Sequence, residues 1–327
     1  MSDLIFTLNA VMPIISLVCI GYILKKIGLI TKGGAKEMNK LVFKLFLPVM
    51  LFLNVYKLEA VNNIRFGYIF FVCCVVILLF LLSLFCVRFV TDDNRKKGAL
   101  VQSAFRSNYA LIGIPLAISL YGDEGSALAS LLSAFTIPLF NILAVIELTA
   151  FSKDKGNKTD VKKILLGIVK NPLIDAIFLG LVFLLIRYFF VCAGIEFRLS
   201  NISWLYKILS QLSAVASPLA LIVLGAEFEF SAIPNLKKEI IFGTVSRCVA
   251  APIIGLSLAF IIGGFTGAEF AAFISVFGTS IAVSTVPMAQ EMDSDVSLTG
   301  QLVVWTTIVS AFTLFVFIYI LRIFGVF

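Results

Sequence analysis

Long apolar runs dominate this chain and decide what it can fold into. Runs of twenty or more apolar residues alternate with short polar turns, and 60% of the 327 residues are hydrophobic. A helix needs about 20 apolar residues to cross a bilayer, and a soluble domain of this length could not bury so much apolar surface. The sequence therefore predicts an all-α protein embedded in a lipid bilayer.

The runs divide into ten predicted spans. Met1–Asp3 lacks the basic residues of a cleavable signal, so the first run is predicted to remain as a span. The predicted spans cover residues 4–25, 41–58, 66–90, 97–121, 125–151, 172–192, 204–229, 239–262, 268–290 and 296–322.

Basic residues are distributed unevenly between the two sides of these spans. Eighteen lysines and arginines lie on one side and six on the other, while Arg106 and Arg247 lie within spans. Because loops rich in Lys and Arg remain in the cytoplasm, we expect a multi-pass protein of the plasma membrane with both termini outside the cytoplasm. The net charge of +7 is thus a topology signal, and no nucleic-acid partner is expected.

The two halves of the chain repeat one another. Pro13 precedes Gly21 by eight residues, as Pro172 precedes Gly180, and Pro115 matches Pro287 at an offset of 172. These matches predict two repeats of five spans, residues 1–151 and 172–327. A short cytoplasmic linker, 152–171, joins them and includes a helix at the membrane surface. Since five is odd, the second repeat has inverted topology.

The fourth span is predicted to be broken in mid-membrane. It carries Arg106 and Asn108 at a depth without water, and then meets Gly113 and Pro115. Proline lacks the N–H that a helix needs, so the turn before Pro115 is expected to leave carbonyls unpaired. Such a break is tolerated where it faces protein or a water-filled cavity, as at transporter binding sites.

The ninth span carries the matching break at Pro287, and the two inverted halves should bring both breaks together. The predicted fold is therefore two inverted five-helix repeats with crossed, proline-broken helices 4 and 9. Half-helix ends at such a crossing can receive an anion or a cation. The candidate substrate-binding residues share this level of the membrane and are Asn108, Tyr109, Gly113, Pro115, Thr279, Ser280, Ser284 and Pro287.

These motifs resemble the auxin efflux carrier family, the bacterial relatives of the plant PIN proteins. The resemblance rests on RSNYALIGIPL at 106–116 and YGD at 121–123, and on further matches in the second, sixth, seventh and ninth spans. It implies a ten-helix transporter of the bile-acid-symporter and sodium/proton-antiporter type. Helices 1, 2, 6 and 7 would form a scaffold, with a dimer through it as in related folds, and helices 3–5 and 8–10 would form the transport domain.

The same resemblance implies a cargo that carries a carboxylate. Asn108 and Pro115 match substrate-contacting positions of the family on helix 4, and Pro287 matches on helix 9. Thr279 and Ser280 stand where plant members have an asparagine, which argues against auxin itself.

Charged residues within spans are candidates for ion coupling or structural pairing, because each is costly in lipid unless paired or hydrated. For Arg106, two residues from Asn108, one interpretation is attraction of the substrate carboxylate. The spacing predicts different helix faces, however, and favours a structural ion pair within the transport domain. Arg247 is expected to tie helix 8 to its neighbours. Glu147 and Glu227 lie near enough to the interface to be solvated, and Asp175 is placed to complement a helix N-terminus.

Three function classes follow from these observations. The first is a secondary transporter of a small organic anion with an elevator-like motion; the second is a sodium- or proton-coupled cation antiporter of the same architecture; the third is a membrane-embedded sensor. No enzyme is expected, because the chain has no histidine and no H-E-x-x-H or G-x-S-x-G motif. Nor is a cofactor or metal expected, since the six cysteines form no C-x-x-C pair.

Overall fold

The computed structural model describes residues 2–57, 66–151, 172–195, 197–228 and 230–326. The side chains of residues 2–11, 14, 66, 126 and 230 lie outside that description, as does the predicted linker 152–171 with its surface helix.

The main helices of the described residues, some of them separated by shorter 3-10 and π turns, are numbered here in chain order. They are α1 (Ser2–Lys26), α2 (Lys32–Tyr56), α3 (Phe66–Cys86), α4 (Asn94–Phe105), α5 (Ile114–Phe151), α6 (Pro172–Cys192), α7 (Ser203–Glu227), α8 (Pro234–Ile262), α9 (Gly267–Phe277), α10 (Thr285–Glu291) and α11 (Val296–Ile323). Within α5 the backbone leaves the helical region at Tyr121 and Gly122, where glycine adopts a φ of 56°. This interruption lies where the sequence predicts a turn between the fourth and fifth spans.

Seven stretches of helix in the described residues are long and apolar enough to cross a membrane. They fall on α2, α3, the part of α5 from Ala127, α6, α7, α8 and α11. The chain is therefore an all-helical, multi-pass membrane protein, as predicted. The predicted spans 97–121 and 268–290 are each divided into shorter pieces, and ten membrane crossings in inverted repeats remain a prediction.

The starts of α4, α9 and α11 are fixed by side-chain capping. Asp93 accepts the N–H of Arg95 at 2.9 Å at the start of α4, and Asp295 accepts that of Leu298 at 2.9 Å at the start of α11. Thr266 and Glu269 form a reciprocal capping box at the start of α9. These side chains satisfy amide groups that the first turn of a helix leaves unpaired.

Glycines bring two pairs of helices into backbone contact. α1 packs along α7, where a Cβ atom at Gly21 would lie 2.0 Å from the carbonyl oxygen of Ile222, and one at Gly225 would lie 1.9 Å from that of Val18. α6 packs along α2, where a Cβ atom at Gly180 would lie 3.0 Å from the carbonyl oxygen of Phe52. Close packing through small residues is typical of membrane helices, since lipid supplies no hydrophobic force between them.

Candidate functional site at two broken helices

The first break separates α4 from α5. Arg106 follows the end of α4 with extended backbone, at φ −86° and ψ 112°. Asn108 is also outside the helical region, at φ −78° and ψ 49°. One turn of π-helix, Tyr109–Gly113, then leads into α5. The helix is therefore interrupted at residues 106–108.

The position of this break differs from the prediction. Pro115 is the second residue of α5, directly after the π turn, in which the N–H of Ile114 bonds the carbonyl of Tyr109. The helix continues from this π turn into α5, so the non-helical residues of the break are 106–108 and not those immediately before Pro115. The span is broken as predicted, but several residues before the proline.

The second break separates α9 from α10. α9 ends at Phe277, residues 279–284 lie outside any helix, and α10 begins at Thr285. Pro287 is the third residue of α10, where a helix has no internal partner for an N–H and proline is tolerated. Both prolines thus lie inside the helices that follow the breaks.

The two breaks pair with each other, as predicted. Ser107 and Ile281 form an isolated antiparallel β-bridge. The N–H of Asn108 donates to the carbonyl of Ser280 at 2.8 Å, and the hydroxyls of Ser107 and Thr279 are hydrogen-bonded at 2.7 Å. This pairing satisfies polar backbone groups that lipid could not. We call the paired segments 106–108 and 279–284 the crossing.

Arg106 lies at the centre of a buried polar cluster. Its side chain is 2% exposed. Nη1 donates to Gln102 Oε1 at 2.9 Å and to Met288 Sδ at 2.7 Å, while Nη2 donates to Asn141 Oδ1 at 2.7 Å and Ser284 Oγ at 2.9 Å. These four acceptors are neutral, so no carboxylate bonds this guanidinium in the described part of the chain. The buried Glu147 acts on this guanidinium electrostatically without a direct salt bridge, and the ion pair of Arg106 stays a prediction.

A small cavity of about 60 Å³ lies between the crossing and helices α2, α5 and α7. Its volume is well below the ~300–1,000 Å³ of typical small-molecule binding pockets. Its polar lining comprises Asn54, Arg106, Ser107, Asn108, Asn141, Ser217 and Ser284.

Arg106 and Asn108 both line this cavity, although their spacing predicted different faces. Positions i and i+2 diverge on a helix but share one side of an extended chain. The prediction assumed a helix at residues that the break makes extended. Asn108 is 4% exposed, and its Nδ2 has no hydrogen-bond partner in the described residues. The cavity is therefore lined by a buried cation and by an amide donor without an acceptor.

The remaining binding candidates occupy several environments. Tyr109 lines the cavity, although its hydroxyl donates to the carbonyl of Ala129 at 3.0 Å. Thr279 and Ser280 are fully buried in the crossing but outside the cavity lining. Gly113 also lies outside the cavity lining. A Cβ atom there would lie 2.8 Å from the carbonyl oxygen of Ser275, so the close approach of the two backbones requires glycine at this position.

The acidic candidates lie apart from one another. Asp175 is exposed in the first turn of α6, which agrees with a helix-dipole role. Glu227 is the last residue of α7 and lies near Lys25 and Lys36. Glu147 is 1% exposed, so its predicted solvation is wrong. Its carboxylate faces α4 at Gly98, where a Cβ atom would lie 3.5 Å from Oε2, and the missing side chain leaves room for the carboxylate.

Two polar residues of the cluster were absent from the predicted site. Gln102 and Asn141 both bond Arg106 and are buried. The sequence could have indicated both residues as candidates, because each is a polar side chain within a predicted span. Such residues are costly in lipid and therefore face the protein interior.

Comparison with known proteins identifies the class. A family model described as membrane transport protein matches residues 6–318. The chain belongs to this family of membrane transport proteins. The resemblance to the auxin efflux carrier family is confirmed, and the transporter is not an enzyme.

Two relatives cover almost all of the transporter. It is 24% identical over 307 residues to an uncharacterized transporter of Methanothermobacter thermautotrophicus, covering 94% of this chain and 95% of the relative. It is also 24% identical over 310 residues to an uncharacterized transporter of Methanocaldococcus jannaschii, covering 92% of this chain and 94% of the relative.

Proposed function

We propose that this transporter moves a small organic anion, such as a carboxylate, through the crossing of its two broken helices. The observation that carries the proposal is the unpartnered amide of Asn108 beside the guanidinium of Arg106 in one buried cavity. A buried donor without an acceptor costs about 1–3 kcal/mol. A carboxylate accepts hydrogen bonds from both amide and guanidinium groups and would remove that cost.

The charge of the cavity favours an anion over a cation. Arg106 bonds four neutral groups, so its charge is not cancelled by direct contact with a carboxylate in the described residues. Residues 109–111 belong to the first turn after the break and also line the cavity, and the start of a helix carries partial positive charge. Both features attract negative charge to the same place.

The size of the cavity suggests a closed state in an alternating cycle. A space of about 60 Å³ is too small for a dicarboxylate, so we propose that cargo enters when the crossing moves against α2 and α7 in an elevator-like step. Asn39 on α2 donates to Gln290 on α10, a contact between the proposed scaffold and the proposed transport domain.

A second, wider cavity of about 640 Å³ lies at the ends of α1, α2 and α7 near this contact. Its basic lining residues are Lys25, Lys32, Lys36, Lys40 and Arg95, and its acidic ones are Glu37, Glu227 and Glu291. We assign this cavity to the cytoplasmic side on the basis of its lysines. It would serve as an entrance that attracts anions from the cytoplasm.

We further propose the inverted-repeat architecture, with ten spans and both termini outside the cytoplasm of a plasma-membrane protein. The reciprocal glycine contacts support it, because Gly21 on α1 faces α7 while its repeat mate Gly180 on α6 faces α2. Helices α1, α2, α6 and α7 would then form the scaffold, and a homodimer would form through it.

Ligand-induced stabilisation of the detergent-purified protein tests the proposal. Malate, malonate, succinate, indole-3-acetate and a neutral amide analogue are screened by thermal shift against the wild type and Asn108→Ala. A ligand at a hundred times its dissociation constant stabilises by about 2.7 kcal/mol. We expect one acid to raise the midpoint of the wild type, while its amide and the variant show no response.

Asn54→Ala is a matched control, since Asn54 lines the same cavity from α2 and is outside the crossing. It should retain a response to the acid. A wild type that responds to none of the acids would contradict an organic-anion cargo. Equal responses of the wild type and Asn108→Ala would show that the acid binds outside the crossing.

A further inference from the structure

Arg247 lies behind the crossing and is completely buried within α8. Its guanidinium donates to four backbone carbonyls. Nε bonds Thr279 O at 2.7 Å, Nη1 bonds Ala104 O at 3.4 Å, and Nη2 bonds Val276 O at 2.5 Å and Phe277 O at 3.1 Å.

All four carbonyls belong to the ends of the two broken helices. Ala104 is the second-last residue of α4, Val276 and Phe277 are the last residues of α9, and Thr279 follows that end. The last carbonyls of a helix have no internal partner and carry partial negative charge. Arg247 therefore donates hydrogen bonds to carbonyl oxygens of both half-helices, at the point where their partially negative ends meet.

These helix ends, rather than a carboxylate, balance the charge of Arg247. No ion pair to Arg247 is found in the described residues, and its hydrogen-bond acceptors there are all main-chain oxygens. A guanidinium holds five donors in a planar fork and stays charged in proteins. It can thus satisfy several converging carbonyls as a bound metal cation would.

Carbonyls at the C-terminal ends of broken helices are the groups with which ion-coupled transporters hold sodium. We propose that Arg247 occupies the cation position of this crossing, so that the protein carries its own cation there and transport is independent of sodium. The inference rests on the proposed transport through the crossing. A cation attached to the chain is never released on either side, so it cannot draw on an ion gradient.

The test is the thermal midpoint of detergent-purified protein with sodium chloride or choline chloride, without any organic anion. We expect the same midpoint for the wild type in both salts. Arg247→Ala should have a lower midpoint, which guanidinium chloride at low millimolar concentration raises saturably by at least ~2 °C. A wild-type midpoint that sodium raises saturably would overturn the proposal, as would an Arg247→Ala midpoint that guanidinium leaves unchanged.

Val276→Ala is the matched control, because it removes apolar contacts at the same helix end and keeps Arg247. Its lower midpoint should not respond to guanidinium. A rise equal to that of Arg247→Ala would mean that guanidinium acts elsewhere, which would also overturn the assignment.

A second pair of variants covers the case in which Arg247→Ala does not fold. Arg247→Lys keeps a charge, and Arg247→Met keeps a similar length without one. We expect the lysine variant to have the higher midpoint or yield, and equal values would exclude a need for positive charge. None of these readouts involves the cargo, so they can fail while the organic-anion proposal stands, and the reverse.

Discussion

Two buried arginines lie on either side of the crossing, and they differ in what they bond. Arg106 donates to side chains on α4 and α5, to Ser284 in the second break and to Met288 on α10, and it lines the cavity. Arg247 donates to main-chain carbonyls and is remote from the cavity lining. Side chains can change rotamer and exchange partners, whereas main-chain oxygens are fixed by their helices. The comparison separates a cation suited to binding from one suited to holding the crossing together.

Loss of the fixed arginine should have the largest effect. Arg247→Met leaves four converging carbonyls without their donor, and each buried acceptor left unsatisfied costs about 1–3 kcal/mol, so a total loss above ~3 kcal/mol is expected. Arg106→Met frees side-chain acceptors that can turn to other donors, so about 1–3 kcal/mol is expected. Denaturant or thermal unfolding of both variants measures the difference. A smaller loss for Arg247→Met than for Arg106→Met would reverse the assigned roles.

An added carboxylate should have an intermediate effect, on binding and not on folding. Asn141→Asp places a negative charge where Oδ1 now lies 2.7 Å from Nη2 of Arg106. The new pair would neutralise the cavity, and we expect carboxylate affinity to fall about 10–100-fold, which corresponds to ~1.4–2.8 kcal/mol. Binding isotherms or proteoliposome uptake of the acid found in the ligand screen measure it. Asn141→Ala is the control that keeps the Arg106 charge, and a loss as large as that of the aspartate variant would argue against charge as the cause.

A basic residue at the surface should have the smallest effect. Lys96 donates to Glu239 at 2.8 Å, and this hydrogen bond raises the pKa of Lys96 above its usual value. A raised lysine pKa contributes stability below the unfolded pKa of about 10.4, which is lost as the pH rises through the folded pKa. The pair is partly buried, with side-chain exposures of 22% for Lys96 and 10% for Glu239, and about 1 kcal/mol is expected from it. The midpoint difference between the wild type and Lys96→Met should therefore be small at pH 8 and disappear as the pH rises through the folded pKa of Lys96. A difference that grows with pH would contradict this sign.

The apolar runs were sufficient to predict helices and membrane spans, because hydrophobic length is a local property of the sequence. The pairing of the two breaks was also predictable, since prolines repeat between the two halves at similar offsets, 159 for Pro13 and Pro172 and 172 for Pro115 and Pro287. The geometry of the site was harder to predict from the sequence. Placing Arg106 and Asn108 on different faces assumed helical geometry where the backbone is extended, and only the fold shows which residues are extended.

The partners of Arg247 illustrate a second limit. Its acceptors are main-chain oxygens of residues 104, 276, 277 and 279, and every residue type offers such an oxygen. No sequence pattern distinguishes a carbonyl at a helix end from any other. A charged residue within a span therefore indicated that Arg247 has a partner. Which groups form that partner became clear only from the structure of the crossing.

The backbone contact between α1 and α7 also affects how the protein is made. Gly21 and Gly225 fit against each other's helices without any intervening side chain, yet about 200 residues separate them in the chain. At a synthesis rate of roughly 5–20 residues per second, α1 waits about 10–40 s for the helix that completes its glycine face. During that interval lipid, or the insertion machinery, must occupy the groove that α7 later fills.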